Sequence, residues 1–186
     1  EEWDGNAWSE TGDTIHCGQS GEASHIAVGT SYAGLILGVN LGPAKVQKWN
    51  GSTWSEETAL DYGCAYGNSV AGTQNAAVSA GGRNGSHFET TKTVEYNGTS
   101  GYAAADMPTG YASLGVAGTQ NDSYFWAGDE YNPVGTANCD SLNYNGTSWA
   151  TGATTLRNHF DGVSAGTANA ALAAGGKYIV GSGDHG

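Results

Sequence analysis

Apolar and aromatic residues fall along this chain in short runs, each closed by a cluster of Gly, Asn, Asp, Ser or Thr, and the longest aliphatic run is Leu35-Ile36-Leu37. No stretch holds a helical apolar period for long, whereas short runs rich in Val, Thr, Tyr and Trp between turn formers predict strands. The pattern also repeats. Trp3-Asp4-Gly5-Asn6-Ala7-Trp8 is followed by Trp49-Asn50-Gly51-Ser52-Thr53-Trp54, by Tyr96-Asn97-Gly98-Thr99-Ser100-Gly101-Tyr102 and by Tyr144-Asn145-Gly146-Thr147-Ser148-Trp149. A second anchor follows each one: Val28-Gly29-Thr30, Ala71-Gly72-Thr73, Ala117-Gly118-Thr119 and Ala165-Gly166-Thr167. The third is an apolar run ending in glycine, at Leu35 to Gly38, Ala76 to Gly81, Tyr124 to Gly128 and Ala170 to Gly175.

Asn-Gly or Asp-Gly between aromatic-bearing segments predicts a type I′ hairpin, with positive φ at both central residues. In the third such motif Tyr102 takes the place of the closing Trp. Each Gly-Thr pair predicts another strand-turn-strand. Four strands in a unit of roughly 47 residues is the arithmetic of a propeller blade. The expectation is therefore an all-β, four-bladed propeller in one domain over residues 1–186, with repeats anchored at Gly5, Gly51, Gly98 and Gly146. The chain opens on the outer strand pair of a blade (Glu1 to Trp8) and ends on an inner pair (Val163 to Gly175). Pairing the two would close the ring and remove its open edges, with an eight-bladed ring from two chains as the rival. The inner strands carry small residues, as in Val70-Ala71-Gly72 and Val116-Ala117-Gly118. Their carbonyls would line a channel suited to a structural Ca²⁺ or Na⁺ ion, and no other cofactor is expected.

Val78-Ser79-Ala80-Gly81-Gly82 followed by Val94-Glu95-Tyr96 and Tyr102, and likewise Leu172-Ala173-Ala174-Gly175-Gly176, resemble the kelch repeat of the galactose oxidase central domain. The first unit has Gly38 alone and the third has Gly128-Asp129, which depart from the glycine pair. The wording of the Tyr-Asn-Gly-Thr-Ser-Trp motif is also similar to kelch-like repeats in virion structural proteins of marine tailed phages. This resemblance implies a propeller fold and a virion or extracellular setting, as a tail, fibre or decoration component.

Composition narrows the function classes. Glycine supplies 31 of 186 residues, more than twice the typical ~7 %. Much of it is periodic, and 10 % aromatic residues argue against disorder. A net charge of -12 removes nucleic acid as a partner, since polyanion affinity comes mainly from Lys and Arg. No run approaches the ~18 apolar residues of a membrane span, so no membrane insertion is expected. Cys17, Cys64 and Cys139 stand at unrelated spacings and are expected as buried thiols.

Strand alternation puts the tight turns on one face and the long loops on the other: Ser9 to Ser24, Gly38 to Lys48, Ser55 to Asn68, Gly82 to Thr93, Ala103 to Leu114, Asp129 to Leu142, Ala150 to Asp161 and Gly176 to Gly186. Long loops on a rigid scaffold are where binding concentrates. The candidate ligand-binding residues there are His16, Tyr62, Tyr66, Arg83, His87, Phe88, Tyr111, Asp129, Tyr131, Arg157, His159, Tyr178, Asp184 and His185. Aromatic rings beside Asp, Arg and His suit a sugar, the ring stacking on the pyranose and the polar groups reading its hydroxyls. No histidine shows metal-ligand spacing. Two arginines in all are too few for a sialidase, and no motif aligns Tyr62, Cys64 and Tyr66 for copper-oxidase chemistry. A glycosidase needs only two carboxylates, which keeps Asp61, Asp129 and Asp184 as an enzymatic alternative. The expectation is a non-enzymatic binding or structural module that recognises a glycan or a neighbouring subunit through its loop face, with homo-oligomers allowed. The alternatives are a glycan-processing enzyme and a purely structural assembly subunit.

Overall fold

A computed structural model describes residues 1–15, 26–39, 44–60, 66–84, 86, 88–130, 136–137, 139–158, 160–179 and 184–185, and every regular element among them is a β-strand. The N-terminal hairpin is β1 (Glu2–Trp3) and β2 (Trp8–Ser9). A first four-stranded sheet follows: β3 (Ile26–Thr30), β4 (Ala33–Val39), β5 (Ala44–Trp49) and β6 (Trp54–Leu60). The second comprises β7 (Tyr66–Thr73), β8 (Ala76–Arg83), β9 (Thr93–Tyr96) and β10 (Gly101–Ala103). The third is built from β11 (Gly115–Thr119), β12 (Asp122–Trp126), β15 (Ser141–Tyr144) and β16 (Trp149–Thr151), with the small hairpin β13 (Asp129–Glu130) and β14 (Thr136–Ala137) in the loop between β12 and β15. Two further hairpins, β17 (Val163–Thr167) with β18 (Ala170–Ala174) and β19 (Tyr178–Ile179) with β20 (Asp184–His185), complete the order. Each four-stranded sheet is an antiparallel meander, strand after strand in sequence order apart from the β13–β14 insertion.

The sheets stack side by side, with β3 against β7, β7 against β11 and β11 against β17. Two apolar layers hold the stack. Leu35, Leu37, Val46, Leu60, Val70, Val94 and Tyr96 fill the space between the first and second sheets. Val78, Ala80, Met107, Tyr111, Leu114, Phe125, Leu142 and Tyr144 fill that between the second and third. A fully buried Leu, Val or Phe contributes ~1.5–3 kcal/mol, so these layers supply most of the cohesion. Two sequence-invisible contacts reinforce them. Gln74 Nε2 donates to Gly34 O (3.0 Å) and Trp49 O (2.6 Å) of the first sheet, and Gln120 Nε2 donates to Ala77 O and Tyr96 O of the second, both at 3.1 Å.

Three expectations require correction. The Asn-Gly turns are not type I′: their glycines have positive φ, but Asp4, Asn50, Asn97 and Asn145 do not. Each of those side chains instead accepts the backbone N–H groups two and three residues on, as in Thr147 N (3.0 Å) and Ser148 N (2.8 Å) on Asn145 Oδ1. Asn and Asp serve here by hydrogen bonding to their own turn. Second, Gly101 and not Tyr102 holds the position of the closing Trp, because Tyr96 pairs with Gly101 as Tyr144 pairs with Trp149. A side chain at Gly101 would run into the Leu60 side chain from the first sheet, and Tyr102, one place on, lies opposite Glu95.

Third, no closed ring is formed among the described residues. The β1–β2 and β17–β18 hairpins form separate two-stranded sheets, and no contact comparable to those between neighbouring inner strands joins β17 back to β3. Burial follows from this: β8 and β9 are almost wholly buried, whereas every residue of β18 is exposed. Among the described residues the inner strands thus stand in the order β3, β7, β11, β17.

Candidate functional site

The loop face gathers where the second and third sheets meet. Near the end of strand β8, Gly81 and Gly82 both have positive φ, and a side chain at Gly81 would strike the carbonyl of Tyr111. That close approach lets Gly82 N donate to Tyr111 O (2.8 Å). The next residue in the same segment, Ala112, exchanges two backbone hydrogen bonds with Asp129, at 2.9 and 2.8 Å. One strip of chain thus fixes the ends of β8 and β12 relative to each other, and places Arg83 beside Asp129.

Arg83 Nε donates to Glu89 Oε1 (2.8 Å), and its Nη2 makes a short contact to Asp129 Oδ2. The Glu89 side chain is nearly inaccessible, and its Oε2 has no hydrogen-bond partner among the described residues. Burial raises the Asp129 carboxyl above its usual range, only partly opposed by the Arg83 charge. Burial also works against the Arg83 cation, but the hydrogen bond to Glu89 and the charge of Asp129 outweigh it and hold the guanidinium above its usual value. Beside this cluster, Asn84 Oδ1 accepts Ser86 N (2.9 Å) and Phe88 N (3.2 Å), while Asn84 N donates to Phe88 O (2.9 Å). The described residues of the loop are pinned at both sides, and Phe88 is 45 % exposed.

Of the other expected site residues, Tyr111 is a core residue whose hydroxyl bonds to Asp140 Oδ2 (3.0 Å). Arg157 is exposed and lines a separate cleft with Tyr124, Trp126 and Leu156. Tyr178 on β19 pairs in backbone register with His185 on β20, Asp184 precedes His185, and this hairpin touches β14 of the neighbouring one. Tyr66 starts β7. His16, Tyr62, His87, Tyr131 and His159, with Asp61, Cys17 and Cys64, lie outside the described residues. Cys139 is a free, half-buried thiol rather than a fully buried one. Among the described residues no group of three His, Cys, Asp or Glu side chains is placed to hold a metal ion.

The sequence reading missed Glu95. It is buried on β9 and accepts hydrogen bonds from Tyr102 (2.7 Å) on the next strand and Tyr144 (2.6 Å) on the third sheet. Its bond to Tyr102 raises that phenol, and burial followed by the same carboxylate raises Tyr144 more strongly. Glu95 therefore ties two sheets together and is spent on structure. Its one sequence signal is a charged residue in the otherwise apolar strand Thr93–Tyr96.

No family model matches the chain, and no curated protein sequence matches it. Among solved structures, the one titled "Structure of YjhT" is similar, with a TM-score of 0.64 at 17 % identity, over 74 % of this chain and 46 % of that one. This likeness bears on the fold alone. The chain spans about half the length of that neighbour.

Proposed function

We propose that the chain is a non-enzymatic binding module made of kelch-like propeller blades, which recognises a neutral glycan or a neighbouring subunit through its long-loop face. The observation that carries this is Phe88: an exposed ring on a loop held by Asn84, next to the fixed Arg83–Glu89–Asp129 cluster. A ring that needs no ordering before it meets a sugar keeps the entropic cost of binding low. Asp129 and Glu89 are both engaged by Arg83, which favours a recognition role over acid–base chemistry. The net charge of -12 favours neutral or cationic ligands. A virion or extracellular surface is the setting, as a tail, fibre or decoration component, on the strength of the repeat's wording.

A glycan array tests the reading. Binding to one sugar class, lost in Phe88→Ala with unchanged circular dichroism, is expected. Binding that Phe88→Ala leaves intact removes the loop face as its site. Turnover of a chromogenic glycoside abolished by Asp129→Asn would replace the module with a glycosidase.

A further inference from the structure

We propose that Arg83 and Asp129 form a subsite for two adjacent hydroxyls of a neutral sugar, Arg83 donating to one oxygen and Asp129 accepting from the next, and that this subsite turns anionic sugars away. The proposal rests on the loop-face reading and names the ligand class which that reading leaves open.

The first observation is a guanidinium that is built in. Beyond the β8–β9 pairing the chain doubles back: Gly81 N donates to Lys92 O (3.0 Å), Thr90 N to Gly82 O (2.8 Å) and Asn84 N to Phe88 O (2.9 Å), with Arg83 opposite Glu89. The backbone bonds of Gly82 to Tyr111 and of Ala112 to Asp129 lock this segment to the third sheet. Glu89 Oε1 on Nε and Asp129 Oδ2 on Nη2 then hold the guanidinium plane from two sides. A guanidinium has more N–H donors than these contacts use, and those on Nη1 and the second on Nη2 have no partner among the described residues. Neither has Asp129 Oδ1. The Arg83 side chain is 37 % exposed, against 14 % for Asp129 and 3 % for Glu89. A ligand therefore meets the unused donors of Arg83 first, with one carboxylate oxygen of Asp129 alongside.

The second observation is the balance of charge. Glu89 and Asp129 share one cation, and the buried Oε2 of Glu89 has no hydrogen-bond partner among the described residues. Asp161 adds a negative field at both Arg83 and Asp129, with Lys177 Nζ 3.7 Å from its carboxylate. The exposed donors thus belong to a cation whose charge is already engaged. An incoming carboxylate or sulfate would gain those donors but set a further negative charge beside the carboxylates already there. An ammonium group would meet the guanidinium, the most exposed member of the Arg83–Glu89–Asp129 cluster. A hydroxyl brings no charge and both accepts and donates, so two neighbouring hydroxyls match a donor and an acceptor placed side by side. A trans amide does not, because its C=O and N–H point in opposite directions. The pair is fixed before the sugar arrives, so little ordering is lost on binding.

NMR titration of the 186-residue chain, following the Nε–H signal of Arg83, tests the proposal. The probes are the methyl glycosides of galactose, glucose and mannose, their monodeoxy derivatives, galacturonic acid and N-acetylneuraminic acid. A neutral glycoside should bind and shift that signal, and removing either of two adjacent hydroxyls should weaken it about tenfold, ~1.4 kcal/mol. Both acids should bind more weakly than the neutral sugar. Arg83→Lys keeps the charge but loses the planar fork. It should cost about as much as removing the hydroxyl that Arg83 reads, and the two losses should not add, whereas a merely structural change would leave them additive. If Arg83→Lys fails to fold, the deoxy series on the native chain decides alone. Equal affinity for all the monodeoxy derivatives, additive losses, or tighter binding of either acid overturns the proposal, while binding that still depends on Phe88 keeps the loop-face reading. No binding of any sugar, in solution or on an array, overturns both.

Discussion

Gln120 offers the sharpest test of how neighbouring sheets are joined. Its Nε2 bridges two carbonyls on adjacent strands of the second sheet, Ala77 O and Tyr96 O, and both of those residues are fully buried. A hydrogen bond contributes ~0.5–1.5 kcal/mol net, and a buried acceptor left without a partner costs ~1–3 kcal/mol. One lost buried methylene adds ~0.8 kcal/mol. Gln120→Ala should therefore destabilise the fold by about 2–4 kcal/mol. Gln120→Leu keeps the methylenes and loses only the bonds, so about 1–3 kcal/mol is expected. Gln74 makes the same bridge with shorter bonds, to Gly34 O and Trp49 O, but it is only half-buried. Water replaces part of what is lost there, so Gln74→Ala should cost about 1–2 kcal/mol.

Urea unfolding followed by tryptophan fluorescence measures these differences, at one fixed protein concentration because association would shift the midpoint. The m-value should stay constant across the series, since none of the variants changes the surface exposed on unfolding. A Gln120→Leu variant within about 0.5 kcal/mol of wild type would refute the reasoning, as would a Gln74→Ala cost equal to that of Gln120→Ala. The fourth unit has Ala168 where these glutamines stand, and there the described link is Val116 N donating to Ser164 Oγ (3.1 Å). Ala168→Gln should add up to ~1 kcal/mol if the bridge transfers.

Two further outcomes follow from the turns and from the loop face. Asn145→Ala removes the acceptor of Thr147 N and Ser148 N, and thermal unfolding should show a loss of about 0.5–1.5 kcal/mol, most of it avoided by Asp at the same place. Arg83→Met leaves Glu89 and Asp129 without their shared cation, and since the guanidinium is over a third exposed the cost at pH 7 should be about 1–3 kcal/mol. A carboxyl whose folded pKa lies above its unfolded value, as burial makes that of Asp129, weakens the fold above the folded pKa, and protonation relieves the penalty as pH falls through it. The Arg83→Met deficit should shrink as the pH falls from neutral through the raised Asp129 range, and a deficit independent of pH would show that the ion pairs are not its source.

Repeated local signals made the strands and their order readable, because each hairpin is specified by residues within a few positions of one another. Trp3-Asp4-Gly5 and Tyr144-Asn145-Gly146 announce the same turn at opposite ends of the chain, and the structure forms it at both. What the turn residues do inside that hairpin was less legible. Asn-Gly signals a hairpin whether the asparagine supplies positive φ or, as here, an acceptor for Thr147 N and Ser148 N. The register of Gly101 was hidden for another reason: its meaning depends on Leu60, about forty residues away on another sheet. The same holds for the site. Arg83, Phe88 and Asp129 could be chosen as loop residues, but the backbone exchange between Ala112 and Asp129 that brings Arg83 to Asp129 leaves no trace in composition. Closure was the least legible feature, because the hairpins Trp3 to Trp8 and Val163 to Ala174 are each specified locally, and nothing within either says which strand lies beside it.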